Sequence, residues 1–494
     1  VVMAENALTL LMRAAPVLIL TVIVAYLVEM KLKLAQRALE GLEYFVLPAP
    51  RNGADDAAGA APLGPGGLAP SQKAGSAGMK QGFLGGGGGK AARRRAAAAA
   101  VAAKADPFES KGGRPVEGSE ALQVTLRAHD LYALPFNKQY NQCVLLVSLA
   151  AATTGLALCG ERFSEVPMAP YMAVFAALFS VQGLLVTQLD VGTAPLLERI
   201  ASVAASFVSV LAATVLLRFG SPIGVDFGEL ECARVLQENF NSYTAKRNMD
   251  LHFNIEALHV HLPLIGLAGI LGGVLAAPAL RCARCLHAAS TPTPELNDRE
   301  IGVGPTVAAL LRVPLMLCAG AVLMQVQPLM SPEIMGISER EHALLFASLL
   351  VATGFAQLIS LRALLRAHLD SALVAWFELR ENAAGYNKDR VVLAMRAKLL
   401  LTVHMVCKVA LQVVAPAATL VACGCVLVLH DSRRGGGEGV GRAEEAARLA
   451  ALMGGKFPPA VWRTGAAFCG FWACAVWSLV CGGAVAALKL GYNF

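Results

Sequence analysis

The sequence predicts an all-α fold, a polytopic integral membrane helical bundle with about nine transmembrane helices. Of its residues 56% are hydrophobic and only 16% are charged, whereas about 25% are charged in a typical soluble domain. The charges are nearly missing from a series of apolar segments of about 20 residues, the length that a helix needs to cross a hydrocarbon core of about 30 Å. Because such segments recur along the whole chain, one signal peptide or one anchor does not explain them.

Nine apolar segments meet this length, and they are listed in chain order. They lie at residues 7–28, 143–158, 171–189, 200–217, 262–280, 303–326, 343–361, 409–429 and 465–488. Arg13 and Pro16 interrupt the first segment, and an amino-terminal apolar segment can be a cleaved signal. Its removal would leave eight spans. The chain begins at Val1 rather than Met, so its true start can lie upstream.

Composition divides the chain into five parts. Residues 1–28 are a first transmembrane or signal-like segment, residues 29–142 a low-complexity loop, and residues 143–361 spans two to seven. Residues 362–408 are an amphipathic cytoplasmic helix and linker, and residues 409–494 hold the last two spans with the loop between them. The loop at 29–142 is rich in Gly and Ala and cannot bury enough apolar surface to offset its chain entropy. We expect it to be largely disordered.

Two polar-flanked segments have the apolar spacing of amphipathic helices. In the first, at the end of the seventh span, the apolar positions are Leu361, Leu365, Leu369, Ala372, Leu373 and Trp376. This spacing places them on one helical face, so the seventh span is expected to continue along the cytoplasmic interface until "NAAGYN" ends it. A second amphipathic helix is expected at residues 228–243, between spans four and five.

The basic residues indicate the orientation of the spans. The net charge is +7, and Lys and Arg are more numerous on the side of the loop at residues 29–142. Because basic loops remain in the cytoplasm, that first long loop and the carboxyl terminus are predicted to be cytoplasmic. The bilayer, in the plasma membrane or an endomembrane, is the expected partner. Nucleic acid is not expected, because the basic residues do not share a face with interleaved aromatic side chains.

Three stretches resemble catalytic or ligand-binding motifs, but each lacks residues that its motif requires. In "GGGGGKAA", Leu84 stands where a phosphate loop needs its first glycine and Ala91 follows the lysine. The CxxC pair at residues 282–285 has no second pair to complete a zinc site. Three histidines lie close together in the sequence, but no Cys or well-spaced carboxylate completes a set of metal ligands. They are His252, His259 and His261. We therefore expect no enzymatic activity, no cofactor and no metal.

Ionisable residues inside apolar segments are the remaining candidates for a site, since a charge in hydrocarbon normally faces a partner or a wet cavity. Arg312 lies within the sixth span, two residues before Pro314, which can kink the helix. It is part of a buried pair, or it extends its guanidinium to the interface, or the boundary of the span is shifted past it.

The stretch "VHMVCKVALQVVAPAATLVAC" carries a polar stripe on one helical face. His404, Lys408 and Gln412 are spaced four residues apart, and Thr419 and Cys423 fall in the same quadrant. Such a stripe faces other helices or water rather than lipid. Pro416 predicts a kink.

The position of Lys408 relative to the bilayer follows from length. A helix over residues 399–429 would be about 46 Å long, which exceeds a hydrocarbon core of about 30 Å. Residues 409–429 can cross alone. We therefore expect His404 and Lys408 at the cytoplasmic end of the span, where the lysine can reach lipid phosphates.

Four patches resemble the transmembrane protein 161 family in the same order along the chain. They are "LYALPFNKQYN" at residues 131–141, "APALRCAR" at 277–284, "LRAHL" at 365–369 and "ALQVVAP" at 410–416. The last is similar to that family's ALQ-aromatic-VAP signature. The resemblance covers most of residues 131–494. The chain departs from the family's pattern at Lys408, where an apolar residue is expected, and in its longer Gly/Ala-rich loop.

The resemblance implies a multi-pass membrane protein without enzymatic activity. Its expected role is to modulate ion currents or to organise a membrane complex, with ion channels as possible protein partners. The alternative is a channel or secondary transporter that conducts through the polar stripe in the bundle, with Arg312 and Pro416 as parts of the pathway. The sequence leaves the oligomeric state open.

Overall fold

The structure, a computed structural model, describes ten stretches of the chain. They are residues 21–47, 114–115, 122–159, 168–189, 196–223, 225–248, 252–290, 305–382, 388–433 and 459–491. The described residues divide into two compact units, with boundaries between Tyr44 and Phe45 and between Val124 and Thr125. The larger unit is a helical bundle and the smaller unit includes strands.

A helix covers residues 21–26 and continues as a π-helix at Leu27–Leu32. The α-helices that follow are α1 Leu34–Leu39, α2 Ala128–Tyr132, α3 Asn137–Cys159, α4 Met168–Leu189, α5 Leu196–Ile223, α6 Glu229–Lys246, α7 Ala257–Ser290, α8 Pro305–Leu310, α9 Val313–Met324, α10 Gln327–Met330, α11 Pro332–Met335, α12 Glu339–Asn382, α13 Lys388–His404, α14 Val406–Arg433 and α15 Pro459–Lys489. The strands are β1 Glu43–Val46, β2 Arg114–Pro115 and β3 Leu122–Thr125.

The all-α membrane bundle predicted from composition is confirmed. Within the part of the chain that the structure describes, 8 helical segments are long and apolar enough to cross a membrane. They correspond one to one to the second through ninth predicted spans, with α8 and α9 together forming a single span, Thr306–Met324. Most of the first predicted span lies outside the described residues, and its described end is helical.

Disorder is wrong as a prediction for the described edges of the loop at residues 29–142. One edge forms α1 and β1, and the other forms β3, α2 and the start of α3. The strands make a three-stranded sheet in the order β1-β3-β2, and β2 is antiparallel to β3 with Arg114 opposite Gln123. These edges carry apolar side chains such as Leu39 and Leu131, which are buried. The Gly/Ala-rich middle of the loop lies outside the described residues.

Both amphipathic helices are confirmed. The seventh span continues without a break through α12, whose 44 residues correspond to about 66 Å. All six apolar positions predicted for one face are buried: Leu361, Leu365, Leu369, Ala372, Leu373 and Trp376. The described part of this helix ends at Asn382, the first residue of "NAAGYN". The second amphipathic helix is α6, and residues 388–404, expected as linker, form α13.

Helix α14 lies at the centre of the bundle and contacts α3, α4, α7, α12 and α15. Its tightest crossing, with α12, is made by two glycines that face each other's helices. A Cβ at Gly354 would lie 2.6 Å from Val421 Cγ2 and 2.7 Å from the Ala417 carbonyl oxygen, and a Cβ at Gly424 would lie 2.8 Å from the Ala347 carbonyl oxygen. Without a hydrophobic driving force between helices in lipid, this close approach of backbones supplies the contact energy.

The crossing of α5 with α7 uses small residues in the same way. Gly269 and Gly272 on α7 face serines of α5, and Ser206 Oγ donates a hydrogen bond of 2.8 Å to the Gly269 carbonyl oxygen. Only one side of α5 is used in this contact. Its other side presents large apolar residues such as Phe207 and Leu211 to the outside.

A candidate polar site at one end of the bundle

One end of the bundle, called the site end here, collects charged and polar side chains from α5, α7, α12 and α14. The first residues of α5 and α14 meet the last turns of α7 at this end. Because successive spans alternate in direction, the site end is the one that the basic-residue bias predicts to be cytoplasmic.

A bidentate ion pair joins α5 to α7 at the site end. Arg281 Nε and Nη2 donate to the two carboxylate oxygens of Glu198 at 3.0 and 2.7 Å. Both side chains are largely buried, with exposed fractions of 14% for Arg281 and 6% for Glu198. Arg284 Nη1 lies 3.8 Å from the same carboxylate. This planar pairing compensates the cost of removing the charges from water.

Gln412 brings the central helix into the same network. Its Oε1 accepts a hydrogen bond of 3.0 Å from Arg281 Nη1, and the side chain is buried. Pro416, one turn further along α14, is also buried and has no N–H to donate to the Gln412 carbonyl. The arginine thus ties three helices together, with the carboxylate and the amide oxygen as its acceptors.

The polar stripe of α14 is partly confirmed. Lys408, Gln412, Thr419 and Cys423 are all buried, as expected of a face that avoids lipid. His404 does not join them, because Met405 interrupts the helix and His404 becomes the exposed last residue of α13. Sequence spacing alone treated the two helices as one, since no Gly or Pro marks the break.

Lys408 does not reach the lipid phosphates, so that expectation is wrong. Its exposed fraction is 0%, and its ammonium lies 5.6 Å from the centre of the Phe136 ring, a distance typical of a cation–π contact. Phe136 precedes α3 and has a φ of 64°, which costs a non-glycine residue of order 1–3 kcal/mol. Lys408 is the third residue of the span Val406–His430, and protein encloses it.

His368 belongs to the site although it was not among the site residues predicted from the sequence. It lies on the extension of α12, its imidazole hydrogen-bonds to the backbone of Thr402 on α13, and Arg281 is close enough to act on it electrostatically. Its Nε2 is buried and has no hydrogen-bond partner among the described residues. A signal was present: a histidine interrupts the apolar face of "LRAHL".

The four patches that carry the family resemblance converge on this end. Residues 131–141 supply Phe136, residues 277–284 supply Arg281, residues 365–369 supply His368 and residues 410–416 supply Gln412. They come from four different segments, and the first two are separated by more than a hundred residues. The bundle therefore assembles one polar site from the parts of the chain that looked most distinctive in the sequence.

Arg312 lies outside this cluster and is not part of a buried pair. The helix is interrupted at Leu311 and Arg312, and α9 starts with Pro314 in its first turn, so the break predicted from the proline is present. The Arg312 side chain is exposed on the outside of the bundle. The buried pair is therefore wrong, and the extended guanidinium and the shifted boundary stay predictions.

Metal ligands do not gather among the described residues, where no group of three His, Cys, Asp or Glu side chains could hold an ion. Cys282 and Cys285 are both buried in α7. A crevice lined by Gln357, Ser360, Val413 and Trp477 lies between the helices, and its space is about that of one water molecule.

The end of the bundle opposite the site end is called the far end here. There, residues 225–228, called the strap, follow α5 and pack against α15. Phe227 packs against Phe468 and Phe471, with ring centres 5.3 Å apart in both pairs. Next to it, Gly228 has a φ of 77° that favours glycine, and its carbonyl accepts a hydrogen bond of 3.4 Å from Thr464 Oγ1. The strap thus buries an aromatic side chain and makes a polar contact to α15.

Glu229 follows the strap and hydrogen-bonds to Asp226. Burial, together with the neighbouring carboxylate, raises the pKa of Glu229 to about 7. The far end therefore has a carboxyl group that takes up a proton near neutral pH, whereas the carboxylate of the site end is held by arginine.

The fold and the site define an integral membrane protein of the multi-pass helical class. No family model matches the chain, and no curated protein or solved structure matches it either.

Proposed function

We propose that the protein is a non-enzymatic, multi-pass membrane protein that acts by interaction and modulates ion currents or organises a membrane complex. This is the role implied by its resemblance to the transmembrane protein 161 family, with ion channels as possible partners. The first long loop and the carboxyl terminus are proposed to face the cytoplasm.

The observation that supports this role best is that the polar stripe of α14 is bonded to side chains of neighbouring helices. Gln412 is bonded to Arg281, and Arg281 is bonded in turn to Glu198. A conduction pathway needs groups that exchange water or ions with the pore, and side chains that hold each other in bidentate geometry resist such exchange. A network of this kind fixes the relative positions of α5, α7 and α14, which suits a rigid docking scaffold.

The outward side of α5 gives a second argument. Only 17% of its span is buried in the bundle, and its large apolar side chains face outwards, among them Phe207 with 68% exposed. Apolar helix faces of this kind contact either lipid or the helices of another membrane protein. Helix α5 can therefore meet a partner without any rearrangement of the site end.

Two measurements, one on the purified protein and one in cells, test the proposal. In the first, the purified protein is placed in liposomes and ion flux is recorded. In the second, it is co-expressed in cells whose endogenous currents are recorded by voltage clamp. We expect no flux above that of empty liposomes, together with altered cellular currents. Robust flux that Gln412→Leu abolishes would overturn the interaction role.

The alternative, a channel or secondary transporter, has its own supporting observation. Lys408, Arg281 and Glu198 are ionisable groups inside or at the edge of membrane spans, and such groups often mark ion or proton pathways. In that case Lys408→Leu and Gln412→Leu would change the rate or selectivity of the flux while the protein remains folded. A control variant, Arg234→Leu, changes an exposed arginine of α6 and should leave any flux unchanged.

A further inference from the structure

Arg312 is an exposed cation on an apolar surface. Its side chain lies on the outside of the bundle, and no partner for its guanidinium is present among the described residues. The nearby apolar side chains are also exposed, Leu310 to 51%, Val313 to 36% and Met316 to 68%. Met316, four residues further on, lies on the same helical face as Arg312. In a bilayer these neighbours contact acyl chains, so the guanidinium has to find a polar group within reach.

The backbone at this position also requires a polar environment. Leu311 and Arg312 still donate backbone hydrogen bonds to Val307 and Ala309, but Pro314 has no N–H for the carbonyl of Leu310, its partner in a regular helix. Irregular backbone is not tolerated against bare hydrocarbon. The break and the charge therefore both place this turn close to the headgroup layer.

The depth of Arg312 fits the same layer. The span begins at Thr306, and a rise of 1.5 Å for each residue places Arg312 about 9 Å further along the helix. An extended arginine side chain that bends back towards the start of the span covers most of this distance. The start of the span lies at the site end, because the preceding helix α7 ends there.

We propose that Arg312 binds the phosphate group of an anionic phospholipid in the leaflet at the site end. The guanidinium fork matches two phosphate oxygens, while Met316, deeper in the span on the same helical face, contacts the acyl chains of the same lipid. Anionic lipid is favoured over phosphatidylcholine because a choline group already compensates the phosphate of the latter. This site is independent of the ion-current role proposed above.

Lipid selectivity at the protein surface tests the proposal. The full chain is reconstituted in phosphatidylcholine vesicles, and the association of spin-labelled phosphatidic acid is compared with that of spin-labelled phosphatidylcholine. We expect Arg312→Gln to lower the preference for the first bound anionic lipid by about fivefold, the effect of one arginine close to a membrane surface. Arg234→Gln, which changes an exposed arginine outside the spans, should keep the preference of the wild type.

Three results would overturn the proposal. One is an unchanged preference in a folded Arg312→Gln variant. Another is displacement of the labelled lipid by millimolar inorganic phosphate, which would indicate a site for the free anion. The third comes from the wild type alone: a photoreactive phosphatidic acid should crosslink to the peptide that contains residues 305–316, and crosslinks confined to far-end peptides contradict the site.

Discussion

Helices α14 and α5 cross the membrane with nearly the same mean hydropathy, yet they occupy opposite positions in the bundle. Of the α14 span 89% is buried, against 17% of the α5 span. Hydropathy therefore indicates that a segment crosses the membrane and says nothing about its neighbours. The central helix and the most lipid-exposed of these spans look alike by that measure.

The distribution of polar side chains separates the two helices. Helix α14 carries Lys408, Gln412 and Thr419 within its span, and all three are buried. Helix α5 presents Phe207 and Leu211 to the outside, and its carboxylate, Glu198, lies in the first turn. Because hydrocarbon solvates neither a charge nor a side-chain amide, a helix that carries such groups along its length has to be enclosed by protein. The small hydroxyl groups of α5, such as those of Ser206 and Thr214, instead bond to backbone carbonyls.

The largest expected effect comes from removing the arginine that joins both helices. Arg281→Leu leaves Glu198 buried without its bidentate partner, and loss of one member of a buried pair costs about 3–5 kcal/mol in the free energy of unfolding. The measurement is denaturant unfolding in lipid micelles. Since α5 depends on this pair at the site end, α5 should also become more accessible to proteases.

A matched control is available on α6. Arg234 lies 4.0 Å from Glu238 and both side chains are about 70% exposed, so Arg234→Leu should change stability by less than about 1 kcal/mol. Equal losses for the two variants would mean that the site-end pair is no more important than a surface pair.

A smaller effect is expected for the residue by which α14 contacts this arginine. Gln412→Leu removes the acceptor of a charge-assisted hydrogen bond, with an expected loss of about 1.5–3 kcal/mol. Thermal unfolding in detergent measures it, and Gln237→Leu on α6 is the control. If the Gln412 variant unfolds at the temperature of the wild type, the enclosure of α14 does not depend on its polar stripe.

How much of this arrangement is present in the sequence can be judged at these residues. Eight spans, the long helix α12 and the burial of Gln412 follow from apolar length, periodicity and the cost of polar groups in lipid. The partner of Gln412 does not follow, because Arg281 lies more than a hundred residues away. Like its own partner Glu198, this arginine could have been an ordinary interfacial residue. The break at Met405 was equally hidden, since helix ends inside apolar sequence depend on packing.

Substitution at the two glycine crossings compares the freedom of the two helices to move. Gly354→Ala directs a methyl group at the Ala417 carbonyl and Val421 of the enclosed α14, so we expect a loss of about 1–3 kcal/mol in the free energy of unfolding. Gly272→Ala meets both Oγ and Cβ of Ser209 on α5. Rotation of the serine relieves only the Oγ contact, but α5 as a whole can shift towards lipid. Its loss should be smaller.

The control for both is Gly155→Ala on α3, where nothing lies within 4 Å of the added methyl group. This variant should be neutral or slightly stabilising, because alanine is the better helix former. A larger loss for Gly272→Ala than for Gly354→Ala would show that α5 is held as rigidly as α14.

The smallest effect concerns the far end of α5 and depends on pH. Burial and Asp226 raise the pKa of Glu229 to about 7 in the fold, from its ordinary value of 4.5, so between these values the folded protein retains a proton that the unfolded chain has lost. Stability therefore falls as the pH rises from about 5 to just above 7. Glu229→Gln stays neutral throughout and should lack this slope. We expect the unfolding temperatures of wild type and variant to coincide near pH 5 and the wild type to fall below the variant at pH 8.

The control is Glu238→Gln, which changes an exposed carboxylate and should follow the wild type. A pH-independent difference between wild type and Glu229→Gln would mean that the strap after α5 does not respond to this proton.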